Sequence, residues 1–179
     1  RLILAPWKNP IPLTRSWCLW EINSTIETDS KLEVVLPKSQ EDDFINTLLN
    51  DYDGIMNNLC HIDTRNAKAG NEHDEKKIKL AVNDTNGGFQ SVNSNCQMGI
   101  QSGLVEIGKR YLKEMERKEE EEEEEGDRAG GGGGGIDVKK KLKLMNQLGM
   151  MLKQKTSAAR WTAGGLLLYI MFNIDQLQT

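Results

Sequence analysis

Glu119 to Glu125 is a run of seven glutamates, and Gly130 to Gly135 is a run of six glycines. Neither run has apolar surface to bury. Like charges at i and i+4 repel along a helix, and polyglycine behaves as a flexible coil. The sequence therefore predicts an acidic and glycine-rich linker over 119–135, between a larger region at 1–118 and a smaller one at 136–179. The glycines do not form a phosphate loop, because that motif needs a strand before it and a helix start with spaced residues after it.

Charge follows the same division. Residues 1–112 carry 12 basic and 15 acidic side chains, residues 113–128 carry 4 and 10, and residues 136–155 carry 6 and 1. The chain as a whole has a net charge of −4 and a pI near 5.3. A nucleic-acid binder needs a clustered basic face, and Lys139-Lys140-Lys141-Leu142-Lys143 alone is too small for one. Cys18, Cys60 and Cys96 are too few and too scattered for a disulfide framework, and no stretch reads as a secretory signal, so the expected compartment is reducing and cytoplasmic. Ala163 to Ile174, the longest mostly apolar stretch, has 12 residues, against about 20 for a membrane span. No span is expected, and the stretch reads as a core or interface helix. Arg1-Leu2-Ile3-Leu4 reads as the end of a buried strand with no upstream partner, which suggests a piece of a longer protein.

Two prolines hold residues 9–14 extended, and Thr14 is placed to cap a helix from Arg15 to about Thr25. That helix is apolar almost all round and is expected to be buried on most of its surface. Lys31 to Pro37 reads as a β-branched strand stopped by proline, so residues 1–37 make one βαβ unit with parallel strands. From Glu41, the residues Phe44, Ile45, Leu48, Leu49, Tyr52, Ile55, Met56 and Leu59 keep helical spacing, as one amphipathic helix does. A weaker helix covers Asp74 to Val82, and Asn86-Gly87-Gly88 marks a break. A further helix then carries Phe89, Val92, Cys96, Ile100, Leu104, Ile107 and Tyr111. Gly99 and Gly103 on one face of it would let a neighbour approach closely. Beyond the linker, Val138, Leu142, Met145, Leu148 and Leu152 form an apolar stripe on a lysine-bearing helix. A last helix is expected from Ala158 to about Phe172. One core is expected to contain Trp17, Leu19, Ile22, Val34, Val35, Phe44, Leu48 and Leu59.

The most specific stretch is Pro12-Leu13-Thr14-Arg15-Ser16-Trp17-Cys18-Leu19-Trp20-Glu21-Ile22. It resembles the Trp-Cys-Leu-x-Glu-Leu/Ile motif on the helix after the fourth strand of Toll/interleukin-1 receptor (TIR) domains, and Leu2-Ile3-Leu4 and Val34-Val35-Leu36-Pro37 sit where that family has strands. Residues 1 to about 108, with Ile62-Asp63 and Gly87-Gly88-Phe89, also resemble the N-terminal region of kinesin light chain-like tetratricopeptide-repeat proteins of algae and related protists. Leu144 to Lys153, with Leu148-Gly149 in the small-residue position, is similar to the first helix of such a repeat. Gly149 and Gly165, however, are 16 residues apart, short of a 34-residue period, so any repeats are degenerate.

The resemblance implies an α/β fold passing into a mostly helical one, with the C-terminal part of a TIR-like (flavodoxin-like) parallel sheet followed by helices. It also implies a signalling or scaffold protein whose partners are proteins, self-association included. The alternative that it implies is an NAD-cleaving hydrolase with Glu21 as its catalytic residue and NAD as substrate, not cofactor, once upstream strands complete the pocket. A carboxylate one turn from Trp17 on an apolar helix would be partly desolvated and could stabilise an oxocarbenium-like centre. The structural reading of the same residue pairs Glu21 with Arg15. Cys60-His61 and His73-Asp74 have adjacent ligands that cannot both reach one ion, so no metal site is expected. Cys60 reads as a small hydrophobe beside Leu59. The lysine- and methionine-rich 139–155 segment has the character of a helix that docks in a groove or on a surface.

Overall fold

The computed structural model describes residues 1–60, 62–129 and 138–159, with the side chains at 59–60, 122–129 and 154–159 excepted. The chain is mostly helical, around a small parallel sheet. Strands β1 (Leu2–Ile3) and β2 (Val34–Val35) pair in parallel with Leu2 opposite Val34 and Ile3 opposite Val35. The helix α1 (Ser16–Glu27) makes the crossover between them. This is the βαβ unit that the apolar runs predict, although β2 keeps only the two valines at the centre of the expected strand.

The entry to α1 differs from expectation. Thr14 ends a 3₁₀ turn over Ile11–Thr14, and its hydroxyl donates to the Ile11 carbonyl at 2.9 Å instead of capping the helix. Arg15 takes the cap position without a side-chain bond. The backbone there is held by residue 68: the Lys68 amide donates to the Thr14 carbonyl and the Ser16 amide to the Lys68 carbonyl, both at 2.9 Å. One face of α1 is buried, with Ser16, Leu19, Ile22 and Asn23 inward. Trp17 is 43% exposed and Glu21 is exposed, so the helix is not buried on most of its surface and Trp17 does not belong to the core.

The long amphipathic segment is two helices, α2 (Lys38–Asn50) and α3 (Tyr52–Cys60). They break at Asp51, whose backbone leaves helical values and whose carboxylate accepts from the Gly54 amide at 3.0 Å, capping the start of α3. Helix α4 (Glu72–Asp84) is capped by Asn71, whose side-chain oxygen accepts from the Asp74 amide at 2.8 Å. Gly87 at φ 84° and Gly88 at φ 53° then turn the chain through the left-handed region, which glycine adopts at least cost.

Helix α5 (Gly88–Ala129) is continuous for 42 residues, so the glutamate run is helical and a coil beginning at 119 is not what forms. Intrahelical pairing helps explain this, since Arg117 pairs with Glu121 one turn on. Helix α6 (Val138–Ala159) supplies further countercharge. Lys141 lies 3.3 Å from Glu116 and 3.1 Å from Glu119, which raises its pKa, chiefly through the Glu119 bond. The acidic and basic blocks therefore face each other across the α5/α6 pair. Residues 130–137, the rest of the expected linker, lie outside the described residues, as does most of the helix expected from Ala158.

The core is one cluster drawn from every major element: Leu4, Leu19, Ile22, Val34, Phe44, Leu48, Ile55, Ile78, Val92, Ile100 and Leu104, with Leu144, Leu148 and Met151 of α6. Val35 is only partly buried, and the Leu59 side chain lies outside the described set. The C-terminal helix thus closes the same core as α2 and α5 and does not form a unit apart. Its inward stripe is Leu144, Leu148 and Met151, whereas Val138, Leu142 and Met145 of the expected stripe face outward. The glycines of α5 provide the close approaches, partly to a strand and not to a helix. A Cβ built on Gly103 would lie 2.1 Å from Val34 Cγ2, one on Gly99 2.6 Å from Ile26 Cδ1, and one on Gly108 2.5 Å from Leu148 Cδ2. At Gly149, proposed for that role by resemblance, an added Cβ meets nothing within 4 Å.

Candidate functional site

Glu21 is the sequence-predicted catalytic residue, and its place follows from the register of α1. Leu19, Ile22 and Asn23 point to α5, so Trp17 and Glu21, four residues apart, share the outer face. Neither expected environment forms. The Glu21 carboxylate is exposed and not desolvated, and no buried Arg15 waits on it, since Arg15 is exposed as well. The cysteine of the motif is no nucleophile: burial pushes the Cys18 thiol above its ordinary pKa, toward the protonated form.

Under α1 lies a polar seam that the sequence does not announce. Asn23 is fully buried, and its side-chain oxygen accepts from the Asn95 amide at 2.9 Å. Cys96 donates its thiol proton to the Leu19 carbonyl at 3.3 Å, and burial pushes its pKa up to about 12. The Asn23 amide nitrogen and the Ser16 hydroxyl are buried without a protein partner among the described residues. These groups fix the α1/α5 packing in one register, because a slide would strand more of them. At neutral pH they provide neither an acid nor a base.

A second junction pins the N-terminal loop. The Trp7 indole NH donates to Asp43 at 2.8 Å and its backbone amide to Gln40 at 3.0 Å, while Lys8 bonds Asp43 from outside at 3.1 Å. The Trp7 ring stands edge-on to Phe44, with centroids 5.3 Å apart. Lys8 and then Trp7 hold the Asp43 carboxyl below its ordinary pKa. A cleft between α2 and α5, lined by Glu41, Ile45, Ile107, Arg110, Tyr111 and Glu114, has a volume of about 50 Å³. Small-molecule sites run to about 300 Å³ or more. The cleft has room for water, not for a dinucleotide, and Glu21 does not line it.

The largest exposed apolar feature is on α6. Val138, Leu142 and Met145 are 73%, 58% and 38% exposed, and they alternate four and three residues apart with Gly149 and Leu152 continuing the series. That is the 3.5-residue repeat of a helix seam. It lies to one side of the Leu144/Leu148/Met151 stripe that α2 and α5 already cover. Lys139, Lys140, Lys141, Lys143 and Lys153 accompany it, and no acidic residue lies between 138 and 159. Sequence reasoning found the outer half of this stripe and took it for the inner one. The two stripes differ by a rotation of roughly 100°, and only the packing on α5 decides between them.

The described residues contain no cluster of three or more His, Cys, Asp or Glu side chains that could hold a metal ion, and His73 is exposed at the start of α4. Cys60 and His61 lie outside the described side chains. No described helix is long and apolar enough to cross a membrane. Comparison with known proteins sets nothing beside this geometry: no family model matches the chain, and neither a curated protein nor a solved structure does.

Proposed function

We propose that this chain is a protein-interaction module of a signalling or scaffold protein, and that the outer face of α6 is its docking surface. The observation that carries this reading is the exposed Val138/Leu142/Met145 seam on a helix whose other apolar stripe is already used in the core. An exposed, regularly spaced apolar row flanked by lysines suits an amphipathic helix with acidic flanks. The finer resemblance is carried here too. The parallel β1/β2 register and the α1 crossover support a TIR-like origin for the N-terminal unit, and the α5/α6 pair supports a repeat-like origin for the C-terminal one. A reducing, cytoplasmic setting suits the free Cys18 and Cys96 thiols.

The hydrolase alternative is less well supported. It asks Glu21 to act from a desolvated pocket, and the carboxylate lies on an open helix face. The test is recovery of partners with the full chain and with Leu142→Glu/Met145→Glu, followed by reconstitution of each recovered protein with the purified chain. The interaction reading expects direct binding that the double variant weakens at least tenfold at an unchanged melting temperature. Equal binding by both proteins would overturn it, as would NAD turnover by the chain that Glu21→Gln abolishes.

A further inference from the structure

The α6 seam is bordered in sequence by the most apolar segment of the chain. Past Ala159 another 20 residues follow, among them Leu166-Leu167-Leu168-Tyr169-Ile170-Met171-Phe172, seven consecutive apolar side chains with no charge. Such a run left in water has the same reason to seek cover as the seam does. It is also tethered a short distance away. Met145 lies 14 residues before Ala159, about 21 Å along a helix rising ~1.5 Å per residue. Residues 160–165, extended at ~3.4 Å each, span about 20 Å. They contain Gly164-Gly165, a pair that allows the chain to reverse.

Folded back in this way, Leu166 arrives beside Met145, and the next seven residues run along the seam toward Val138. Nothing electrostatic opposes the contact, because residues 160–179 carry only Arg160 and Asp175 and so present no net charge to the lysines of α6. At Gly149 the surface is open: an added Cβ meets nothing within 4 Å there, so a covering chain can come down onto the backbone. A tethered segment acts at an effective concentration of about a millimolar, well above the concentration of a second copy in dilute solution. A weak apolar contact is then enough to keep the seam covered most of the time.

We propose that residues 163–174 of this same chain fold back onto α6 and seat Leu166–Phe172 on the Val138/Leu142/Met145/Gly149 seam, as an intramolecular occupant of the docking surface. The proposal rests on the reading of that seam as the docking surface and adds its regulation. A partner binds only the fraction of molecules whose tail is off, so its apparent affinity falls by that fraction.

The test uses the full 179-residue chain with the photoreactive residue p-benzoylphenylalanine at position 142, irradiated as an equal mixture of ¹⁴N- and ¹⁵N-labelled protein. The expected result is a crosslink to a peptide within 163–174 that carries the same isotope as the probe, reduced at least fivefold in Leu167→Asp/Ile170→Asp. Those substitutions lie outside the core cluster, and an unchanged far-ultraviolet spectrum and melting temperature will confirm that the fold persists. Mixed-isotope crosslinks would make a second copy the occupant and overturn the proposal. Same-isotope crosslinks that ignore the tail substitutions, or no crosslink to the tail, would overturn it as well. The docking reading fails separately. If the seam binds a partner without a tail on it, reconstituted binding is the same for the tail variant and the parent, and Leu142→Glu/Met145→Glu still abolishes it. If both inferences hold, the tail variant binds more tightly than the parent.

Discussion

Leu48 and Trp17 mark the two ends of what a single side chain contributes here. Leu48 is fully buried between α2 and the core, and Leu48→Ala should cost about 2–5 kcal/mol in denaturant unfolding, as lost transfer free energy plus a cavity. Trp17→Ala, on the outer face of α1, should cost less than about 1 kcal/mol. Glu21→Gln should leave the melting temperature unchanged, since no buried partner depends on that carboxylate. Gly103→Ala brings a methyl against Val34, and either β2 or α5 must shift, at about 1–3 kcal/mol. At this scale the sequence reading works where periodicity fixes a face, as at Leu19, Ile22, Phe44 and Leu48. It misplaces Trp17 because Trp17-Cys18-Leu19-Trp20 is apolar at every step, and such a run does not say which side turns inward. Asn23 was silent for the opposite reason: a buried amide looks like any surface asparagine until its partner, 72 positions later, is known.

Elements here are set by their ends as much as by their faces. Asp51 both stops α2 and caps α3, so Asp51→Ala should destabilise the chain by about 1 kcal/mol without merging the two helices. The break is not visible in the hydrophobic pattern, which runs through it in phase. Titration reports the other element contacts. Asp43 is held below its ordinary pKa by Lys8 and Trp7, so its contribution is present above the unfolded aspartate range, near 4, and is lost as pH falls through the lowered native value. Asp43→Asn should flatten that acid loss, read as the unfolding midpoint between pH 6 and about 2. Lys141 has the opposite sign. Its pKa is raised by Glu119 and Glu116, so its contribution is complete below the unfolded lysine range, near 10.4, and disappears as pH rises through the higher native value. Lys141→Met should remove the alkaline decline of the α5/α6 contact and its sensitivity to salt.

The whole molecule is organised around α5, which touches α1, β2, α3, α4 and α6 in turn. The parallel strand pair and its crossover helix were legible because strand, helix and strand follow one another with their own periods. The closure by α6 was not. Opposite charge blocks read one at a time look like two reasons for disorder, and only when they face each other across a helix pair do Glu116, Glu119 and Lys141 become a reason for order. The length of α5 has a mechanical consequence. Forty-two residues at ~1.5 Å each make a rod of about 63 Å, and the core contacts end near Met115. A pull on its glutamate-rich end is therefore taken up as shear along Gly99, Gly103 and Gly108, where the rod lies closest to its neighbours. It is not taken up by peeling of one turn after another. A tether at that end would load all the packed elements at once, and they would yield together.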